Sequence, residues 1–262
     1  MDMVPQLTYY DMGPHVIAFS TTRRGGCSEG SYATFNVNEY CGDDYDHIRR
    51  NRQALCCLLG IPSSNLIYPH QIHESQCKII TSDFLSMPLA RQKEYLEGTD
   101  ALVTNEKGVC VAVSTADCVP VLLYDSVLGV VSAVHSGWRG TVKKIVSEAI
   151  RLMQIEFGSQ VFNLKAVIGP SISCAAYEVG DEVYESFSHC GFPMDTIAQN
   201  INGRWHLDLP AANRWLMLQC GLLSENISFS GICTYGNSNE YFSARKLSVH
   251  SGRILTGIML RI

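Results

Sequence analysis

Several features that mark other protein classes are missing from this sequence. No window approaches the roughly 18 uninterrupted apolar residues that a membrane-spanning helix needs. The opening residues, MDMVPQLTYYDMG, lack the basic-then-apolar pattern of a signal peptide. The net charge is −5 and the basic residues are scattered, which argues against a nucleic-acid-binding surface. We therefore expect a cytoplasmic protein with neither a membrane nor a nucleic-acid partner.

The cysteines and histidines are also not spaced in the patterns that define common metal sites. The 11 cysteines form no C-x-x-C pair, and the 8 histidines form no His-x-His pair of the kind that multicopper sites use. In a reducing compartment most such thiols stay reduced and act as small buried apolar side chains. A cysteine here therefore indicates a site only when its neighbours are chemically suited to one.

The elements that are present predict a large mixed fold. With 262 residues, 46% of them apolar, the chain can bury a sizeable core. Strand-like and helix-like segments alternate irregularly, with no repeat, low-complexity tract or linker. We predict one α/β or α+β domain over residues 1–262, built on a largely mixed sheet. One helix is predicted over 44–59, capped by Asp43 or Asp44, and a later one is capped by Asp208.

The stretch from Gly108 to Thr141 carries the strongest chemical signal. Two Val-rich runs, 119–124 and 130–134, flank a turn-like segment and predict an antiparallel hairpin. If Tyr124 lies opposite Gly129, Cys118 falls directly opposite His135, with Cβ atoms about 4.5–5.5 Å apart. That separation suits a thiolate and an imidazole that share a proton or a metal ion. A slip of one residue would place the pair on opposite faces of the sheet.

Two segments offer further polar groups. Pro69 favours an extended chain over 67–73, in which His70 and His73 point in opposite directions and only one can join a given site. Arg23, ahead of two glycines, predicts either an anion site or a solvated loop. Arg139 precedes a predicted helix with an apolar stripe from Val142 to Met153, so it lies either at an anion site or in a surface ion pair.

A set of short blocks runs along nearly the whole chain: TRRGG (22–26), QIH (71–73), TDALV (99–103), TADCVP (115–120), VHSGWRGT (134–141), IGPSIS (168–173), YEVG (177–180) and CTY (233–235). The order of these blocks resembles the YfiH family, which includes YlmD and FAMIN and was once called polyphenol oxidase or laccase-like. The TADC and HSGWRGT blocks together are highly specific. The chain departs from the family at Glu74, where glycine is usual, and at FSARK (242–246), where the family often has FSYRR.

The resemblance implies a mixed β-sandwich flanked by helices, as in the YfiH-like cysteine hydrolase fold. It also implies a metal site, usually zinc, formed by His73, Cys118 and His135. Three N/S ligands with an open fourth position are typical of catalytic zinc. The implied activities are phosphorolysis of adenosine, inosine, guanosine and methylthioadenosine, and deamination of adenosine. The implied partners are therefore a purine nucleoside and phosphate, and the oligomeric state stays open.

Roles for individual residues follow from that chemistry. Zinc lowers the pKa of bound water toward ~7, which would give hydroxide to attack the purine carbon that bears the amine. Asp117 would act as acid or base, orient a ligand, or cap the turn beside Cys118. Tyr177 or Trp138 would stack on the base or simply pack in the core. The catalytic candidates are His73, Cys118, His135 and Asp117, and the substrate-binding candidates are Arg23, Gln71, Arg139 and Tyr177.

Three alternatives remain at this point. A metal-free cysteine hydrolase or amidohydrolase would use Cys118 as nucleophile and His135 as base. A copper-based phenol oxidase fits less well, because the histidines lack the pattern that multicopper sites need. A non-catalytic binding protein would have a closed or empty site and no turnover. Metal content separates the first alternative from the zinc enzyme.

Overall fold

The computed structural model of this protein describes residues 4–262; residues 1–3, which open the segment MDMVPQLTYYDMG, lie outside the described residues. The strands are β1 Leu7–Tyr10, β2 Val16–Thr21, β3 Leu66–Ile67, β4 Cys77–Ile79, β5 Ala101–Thr104, β6 Cys110–Thr115, β7 Val119–Asp125, β8 Val130–Ser136, β9 Leu164–Ile168, β10 Glu178–Val179, β11 Ala198–Ile201, β12 Arg204–Leu207, β13 Ile227–Phe229 and β14 Ile254–Leu260. The helices are α1 Tyr45–Leu59, α2 Ser82–Ser86, α3 Leu89–Leu96, α4 Trp138–Val142, α5 Ile145–Phe157, α6 Asp181–His189, α7 Met194–Ile197, α8 Leu209–Gln219 and α9 Ala244–Leu247.

Two large mixed sheets form a sandwich. One sheet has five strands in the order β1-β2-β14-β6-β3, and the other has six in the order β13-β9-β7-β8-β5-β4. Both contain parallel and antiparallel pairs: β3 runs parallel to β6, and β4 runs parallel to β5. A small third sheet has the order β10-β12-β11. The predicted mixed α/β fold is confirmed.

The core lies in three apolar layers. Residues of both large sheets, such as Val111 and Leu122, meet in the layer between the sheets. The outer face of the six-stranded sheet packs against α5 and α8, through side chains such as Ile150 and Leu216. The outer face of the five-stranded sheet packs against α1, through Leu55 and its neighbours. Helices therefore flank the sandwich on both sides, and the strand ends remain available for a site.

Most helix and strand predictions are confirmed at their ends. Helix α1 begins after Asp44, whose carboxylate accepts the N–H groups of Asp46 and His47, and it ends at Gly60 in a left-handed conformation. Asp208 caps α8 through the N–H of Ala211. The helix predicted with an apolar stripe from Val142 to Met153 is present as α5, but it begins at Ile145. Val142 belongs to the separate α4, because Lys144 between the two helices has φ +59°.

The hairpin between β7 and β8 forms, but its predicted register is wrong by two residues. Pro120 rather than Cys118 lies opposite His135, and Asp125 pairs with Val130. The turn lies one residue later than predicted, at 126–129, because the Asp125 carboxylate accepts the N–H groups of Val127 and Leu128, and Gly129 takes φ +66°. A shift of two residues keeps side chains on the same face, so Cys118 and His135 remain diagonal neighbours. Among residues 4–262, no helix is long and apolar enough to cross a membrane.

Candidate metal centre

Three metal-ligating side chains converge at one end of the sandwich. His73, Cys118 and His135 each offer one ligand atom, and these atoms all lie within 4.8 Å of one another. In the described part of the chain this is the one group of three or more such side chains able to hold a metal ion. His135 is buried, Cys118 is partly buried and His73 is exposed, so the cluster has a closed side and an open side.

The ends of β7 and β8 place two of these ligands. His135 is the residue before the last one of β8, and Cys118 directly precedes β7. The position opposite Cys118 in this register is Gly137. A Cβ atom there would lie 3.0 Å from the Cys118 sulfur and 3.1 Å from Cδ2 of His73. Glycine at 137 therefore leaves the space that both side chains occupy.

The third ligand comes from a tight loop after β3. His73 has φ +64°, a left-handed backbone conformation that is uncommon for a non-glycine residue. The buried carboxylate of Asp100 stabilises this loop by accepting the N–H groups of His73 at 3.1 Å and Glu74 at 2.8 Å. The imidazoles of His73 and His135 meet edge to face, with ring centroids 4.8 Å apart. Asp100 thus fixes the direction of His73 through the backbone.

Asp100 also orients the second imidazole. Its Oδ1 atom lies 2.7 Å from Nδ1 of His135, and both side chains are almost fully buried. Because an ionised carboxylate only accepts hydrogen bonds, Nδ1 carries the proton and Nε2 is left free to bind a metal ion. Sequence reasoning noted the TDALV block but gave Asp100 no role. The available signal in the sequence was an acidic residue directly before the apolar run at 101–103.

Electrostatics favour the charged forms of this cluster. Burial opposes ionisation of the Cys118 thiol, but the charge of His135 and hydrogen bonding to both histidines outweigh it and lower the pKa of Cys118 to about 6. Burial likewise opposes protonation of His135, yet Cys118 and Asp100 raise its pKa to about 9. The pKa of Asp100 is lowered because the hydrogen bond and charge of His135 outweigh burial. In the absence of metal, Cys118 and His135 therefore form a thiolate–imidazolium pair.

The donor set fits a divalent metal ion. Ligand atoms around tetrahedral zinc lie roughly 3.3–3.6 Å apart, given Zn–N distances near 2.0 Å and Zn–S distances near 2.3 Å. The observed separations, all within 4.8 Å, require only small side-chain rotations to reach that geometry. A thiolate, two imidazoles and a carboxylate behind one of them match the pattern of a catalytic site with an open fourth position.

A cleft of about 390 Å³ opens on the exposed side of the cluster. A larger cavity of about 510 Å³ lies elsewhere, around Trp215 and Cys233, and none of the three ligands lines it. The chemistry therefore points to the smaller cleft. Its lining residues are Asn38, Tyr40, Cys41, His70, Gln71, His73, Ser114, Thr115, Ala116, Cys118, His135, Ala244, Val249 and Arg253.

Two of the predicted site residues have structural partners beside the cluster. Gln71 lines the cleft, but its amide is bonded to the backbone N–H and C=O of Ser114. The Asp117 carboxylate accepts the hydroxyl of Thr234 at 2.6 Å and the N–H of Arg245 at 2.7 Å. Asp117 also has φ +92°, so these bonds hold the sharp turn that directs Cys118 into the cluster.

The other predicted substrate-binding residues lie in two places. Arg23 is not among the described residues that line the cleft; its guanidinium donates to the C=O groups of Ala33 and Ser238. Tyr177 is close enough to Cys118, Arg245 and Arg139 for their charges to act on its phenol, and burial raises its pKa. Arg139 is exposed and stacks on Trp138, 4.3 Å from the ring centroid. The structure therefore brings Tyr177 and Arg139 toward the cluster but leaves Arg23 apart.

Fold and site together place a cluster of two imidazoles and one thiol, able to hold a metal ion, at one end of a β-sandwich. The chain matches the family described as multi-copper polyphenol oxidoreductase laccase over residues 17–261, and it belongs to that family. A purine nucleoside phosphorylase from Bacteroides thetaiotaomicron is 46% identical over 92% of this chain and 90% of that protein. Adenosine deaminase RL5, from an unknown prokaryotic organism, is 39% identical over 93% of each chain.

Solved structures share the whole fold. YlmD from Geobacillus stearothermophilus superimposes with a TM-score of 0.90 at 28% identity and covers 100% of both chains. The hypothetical protein YfiH from Bacillus licheniformis gives a TM-score of 0.88 at 27% identity, over 97% of this chain and 99% of that one. The resemblance to the YfiH family is confirmed.

Proposed function

We propose that this protein is a zinc-dependent purine nucleoside enzyme. The reactions are phosphorolysis of adenosine, inosine, guanosine and methylthioadenosine, and deamination of adenosine. The observation that carries the proposal is the convergence of His73, Cys118 and His135 within 4.8 Å at the floor of a cleft. The names of the relatives, purine nucleoside phosphorylase and adenosine deaminase, support the substrate class.

His73, Cys118 and His135 would hold the metal ion. When bound, zinc supplies a Lewis acid that favours ionisation of water near neutral pH and stabilises developing negative charge. Cys118 contributes a thiolate without needing a separate base, because its pKa is lowered to about 6. Asp100 keeps the proton of His135 on Nδ1, at 2.7 Å, so the imidazole presents the nitrogen that binds metal.

Phosphate would bind beside Tyr177. The cations Arg139 and Arg245 both act on the Tyr177 phenol, and Arg245 lies 5.4 Å from the centre of that ring. Guanidinium groups donate paired hydrogen bonds to phosphate oxygens, so two of them whose charges act on one phenol support a phosphate site there. Arg23 stays in the proposal as a second candidate, because it does not line the cleft among the described residues.

A second candidate function rests on a specific observation. Asp100, His135 and Cys118 form a chain of orienting acid, base and thiolate, which is the arrangement of a nucleophilic cysteine hydrolase. A bound zinc ion would occupy the thiolate and remove this activity. Copper-based phenol oxidation is supported less well, because the described residues hold one three-ligand cluster rather than several.

The test is product analysis with and without phosphate. Purified protein of measured zinc content is incubated with each of the four nucleosides, and the products are separated by chromatography. Free base that appears only with phosphate shows phosphorolysis, and inosine formed from adenosine without phosphate shows deamination. A zinc-loaded protein that leaves all four nucleosides unchanged would contradict the proposal. Turnover of an amide substrate by the zinc-free protein would favour the cysteine hydrolase.

A further inference from the structure

The hydroxyl of Thr141 holds the two residues that directly follow the candidate metal ligand His135. Thr141 Oγ1 donates to the C=O of Gly137 at 2.9 Å and lies 2.9 Å from Oγ of Ser136. Because a carbonyl oxygen can only accept, the Thr141 proton points at Gly137, and Ser136 is the donor in the second bond. Thr141 therefore ties the end of β8 to α4.

Gly137 is the point from which a displacement would reach the whole cluster. A Cβ atom there would lie 3.0 Å from the Cys118 sulfur and 3.1 Å from Cδ2 of His73, so the backbone passes close to both side chains. His135 precedes Gly137 by two residues in the chain. A small shift of Gly137 would therefore change the positions of all three ligands relative to one another.

Asn213 reaches Thr141 from another element. It lies in the middle of α8 and, like Thr141, is fully buried. Its Nδ2 atom donates to Oγ1 of Thr141 at 3.2 Å and to the C=O of Leu209 at 2.9 Å. Since the carbonyl of Leu209 can only accept, the atom that bonds it is the nitrogen of the amide. Asn213 thus connects α8 to the turn beside the cluster.

Folding stability alone does not account for an asparagine at position 213. Its Oδ1 atom is buried and has no hydrogen-bond partner in the described part of the chain. A buried acceptor of this kind costs free energy, and a leucine of similar volume would remove the cost. Without Asn213, the Thr141 hydroxyl would keep Ser136 and Gly137 as partners. The amide is therefore better explained by the geometry that it imposes on Thr141.

We propose that Asn213 is a positioning residue of the metal centre, acting through the Thr141 hydroxyl on Gly137. This inference rests on the proposed function, because it assigns Asn213 a role toward the ion that the three ligands would hold. Asn213 is not among the described residues that line the cleft, and it contributes no ligand atom to the cluster. Its effect is on how the ligands are arranged.

The test compares Asn213→Leu with the unchanged protein. Chelator competition should show zinc binding weakened about 10-fold, while the midpoint of urea unfolding stays nearly the same. In the cobalt-substituted protein, the visible absorption bands of Co²⁺ should shift, because the angles between the ligands change. A merely structural role would lower the unfolding midpoint and leave the zinc affinity and the cobalt spectrum of the folded protein unchanged.

Two further variants separate this connection from a general effect on α8. Thr141→Val removes the hydroxyl, so adding Asn213→Leu to it should weaken zinc binding no further. Arg214→Gln is the matched control, because that neighbouring side chain on α8 bonds Oγ of Ser224 at 2.7 Å, and it should change neither affinity nor spectrum. Normal zinc binding by Asn213→Leu, or additive losses in the double variant, would overturn the proposal.

A metal-free measurement keeps this result apart from the proposed function. In zinc-free protein carrying nitrogen-15-labelled histidine, the Nδ1–H signal of His135, bonded to Asp100 at 2.7 Å, reports the position of that imidazole. Its chemical shift should change in Asn213→Leu and stay the same in Arg214→Gln. An unchanged shift in Asn213→Leu would contradict the positioning role. Failure of the unchanged protein to bind zinc would instead contradict the proposed function.

Discussion

The missing side chain of Gly137 makes room for the sulfur of Cys118. A Cβ atom at position 137 would approach that sulfur to 3.0 Å, closer than nine in ten real Cβ contacts. The backbone φ of −69° at Gly137 is one that alanine also adopts, so only the contact opposes substitution. We therefore expect Gly137→Ala to fold and to bind zinc at least ~10-fold more weakly, because Cys118 and His73 must move.

Zinc affinity by competition with a chelator checks this expectation. Gly236→Ala is the matched control, since its Cβ would meet only ordinary contacts near 3.9 Å around Cys233. Unchanged zinc affinity in Gly137→Ala would show that the cluster tolerates the methyl group and that its geometry is looser than the structure indicates.

Removing any one ligand should abolish the metal centre. For His73→Ala, Cys118→Ala and His135→Ala we expect loss of bound zinc and of nucleoside turnover with the fold intact. Metal content after dialysis, circular dichroism and product formation are the measurements. His189→Ala and Cys190→Ala, which alter exposed side chains at the end of α6, should change none of them. Full turnover by a metal-depleted variant would contradict the zinc mechanism.

Loss of the Asp100 carboxylate should affect both metal binding and stability. The amide of Asp100→Asn has one acceptor oxygen where the carboxylate has two, so it cannot accept hydrogen bonds from both His135 and the loop N–H groups. We therefore expect zinc affinity to fall about 10- to 100-fold. Weakened hydrogen bonds to a buried charge should lower the free energy of unfolding by roughly 2–3 kcal/mol. Chelator competition and urea unfolding measure the two effects, and Asp46→Asn is an exposed control.

In the zinc-free protein the Cys118 thiol should ionise near pH 6. The pKa of Cys118 is lowered to about 6 and that of His135 is raised to about 9, so the thiolate forms as pH rises through the lower value. Thiolate absorbance at 240 nm measures this ionisation. The absorbance of Cys118→Ala is subtracted to remove the contribution of Cys233 and the other thiols. In His135→Gln the step should move to higher pH. A step near pH 9 in the wild type would contradict the ion pair.

Phosphate binding should depend on Arg139. Arg139→Gln removes one of the cations beside Tyr177, so we expect KM for phosphate to rise about 10-fold. Deamination of adenosine, which needs no phosphate, should be unchanged. Initial rates at varied phosphate concentration measure the effect. Arg151→Gln is the control, because that exposed side chain pairs with Glu148 on α5. An equal loss in both reactions would indicate that Arg139 only maintains the fold.

Local sequence patterns accounted for much of the scaffold. The cap at Asp44, the end of α1 at residue 59 and the cap at Asp208 follow from short-range preferences that neighbouring residues satisfy. The hairpin of β7 and β8 was predicted, while its register was not. The position of the turn depends on hydrogen bonds that the Asp125 carboxylate accepts, which sequence periodicity does not report.

What the sequence by itself determined is the alternation of strands and helices. It also placed Cys118 and His135 on one face of a hairpin, because side chains alternate every two residues along a strand. Only the tertiary structure brought Asp100 behind His135 and set His73 beside both Cys118 and His135. Those contacts join residues far apart in the chain, and their distances depend on how sheets and loops pack rather than on local preference.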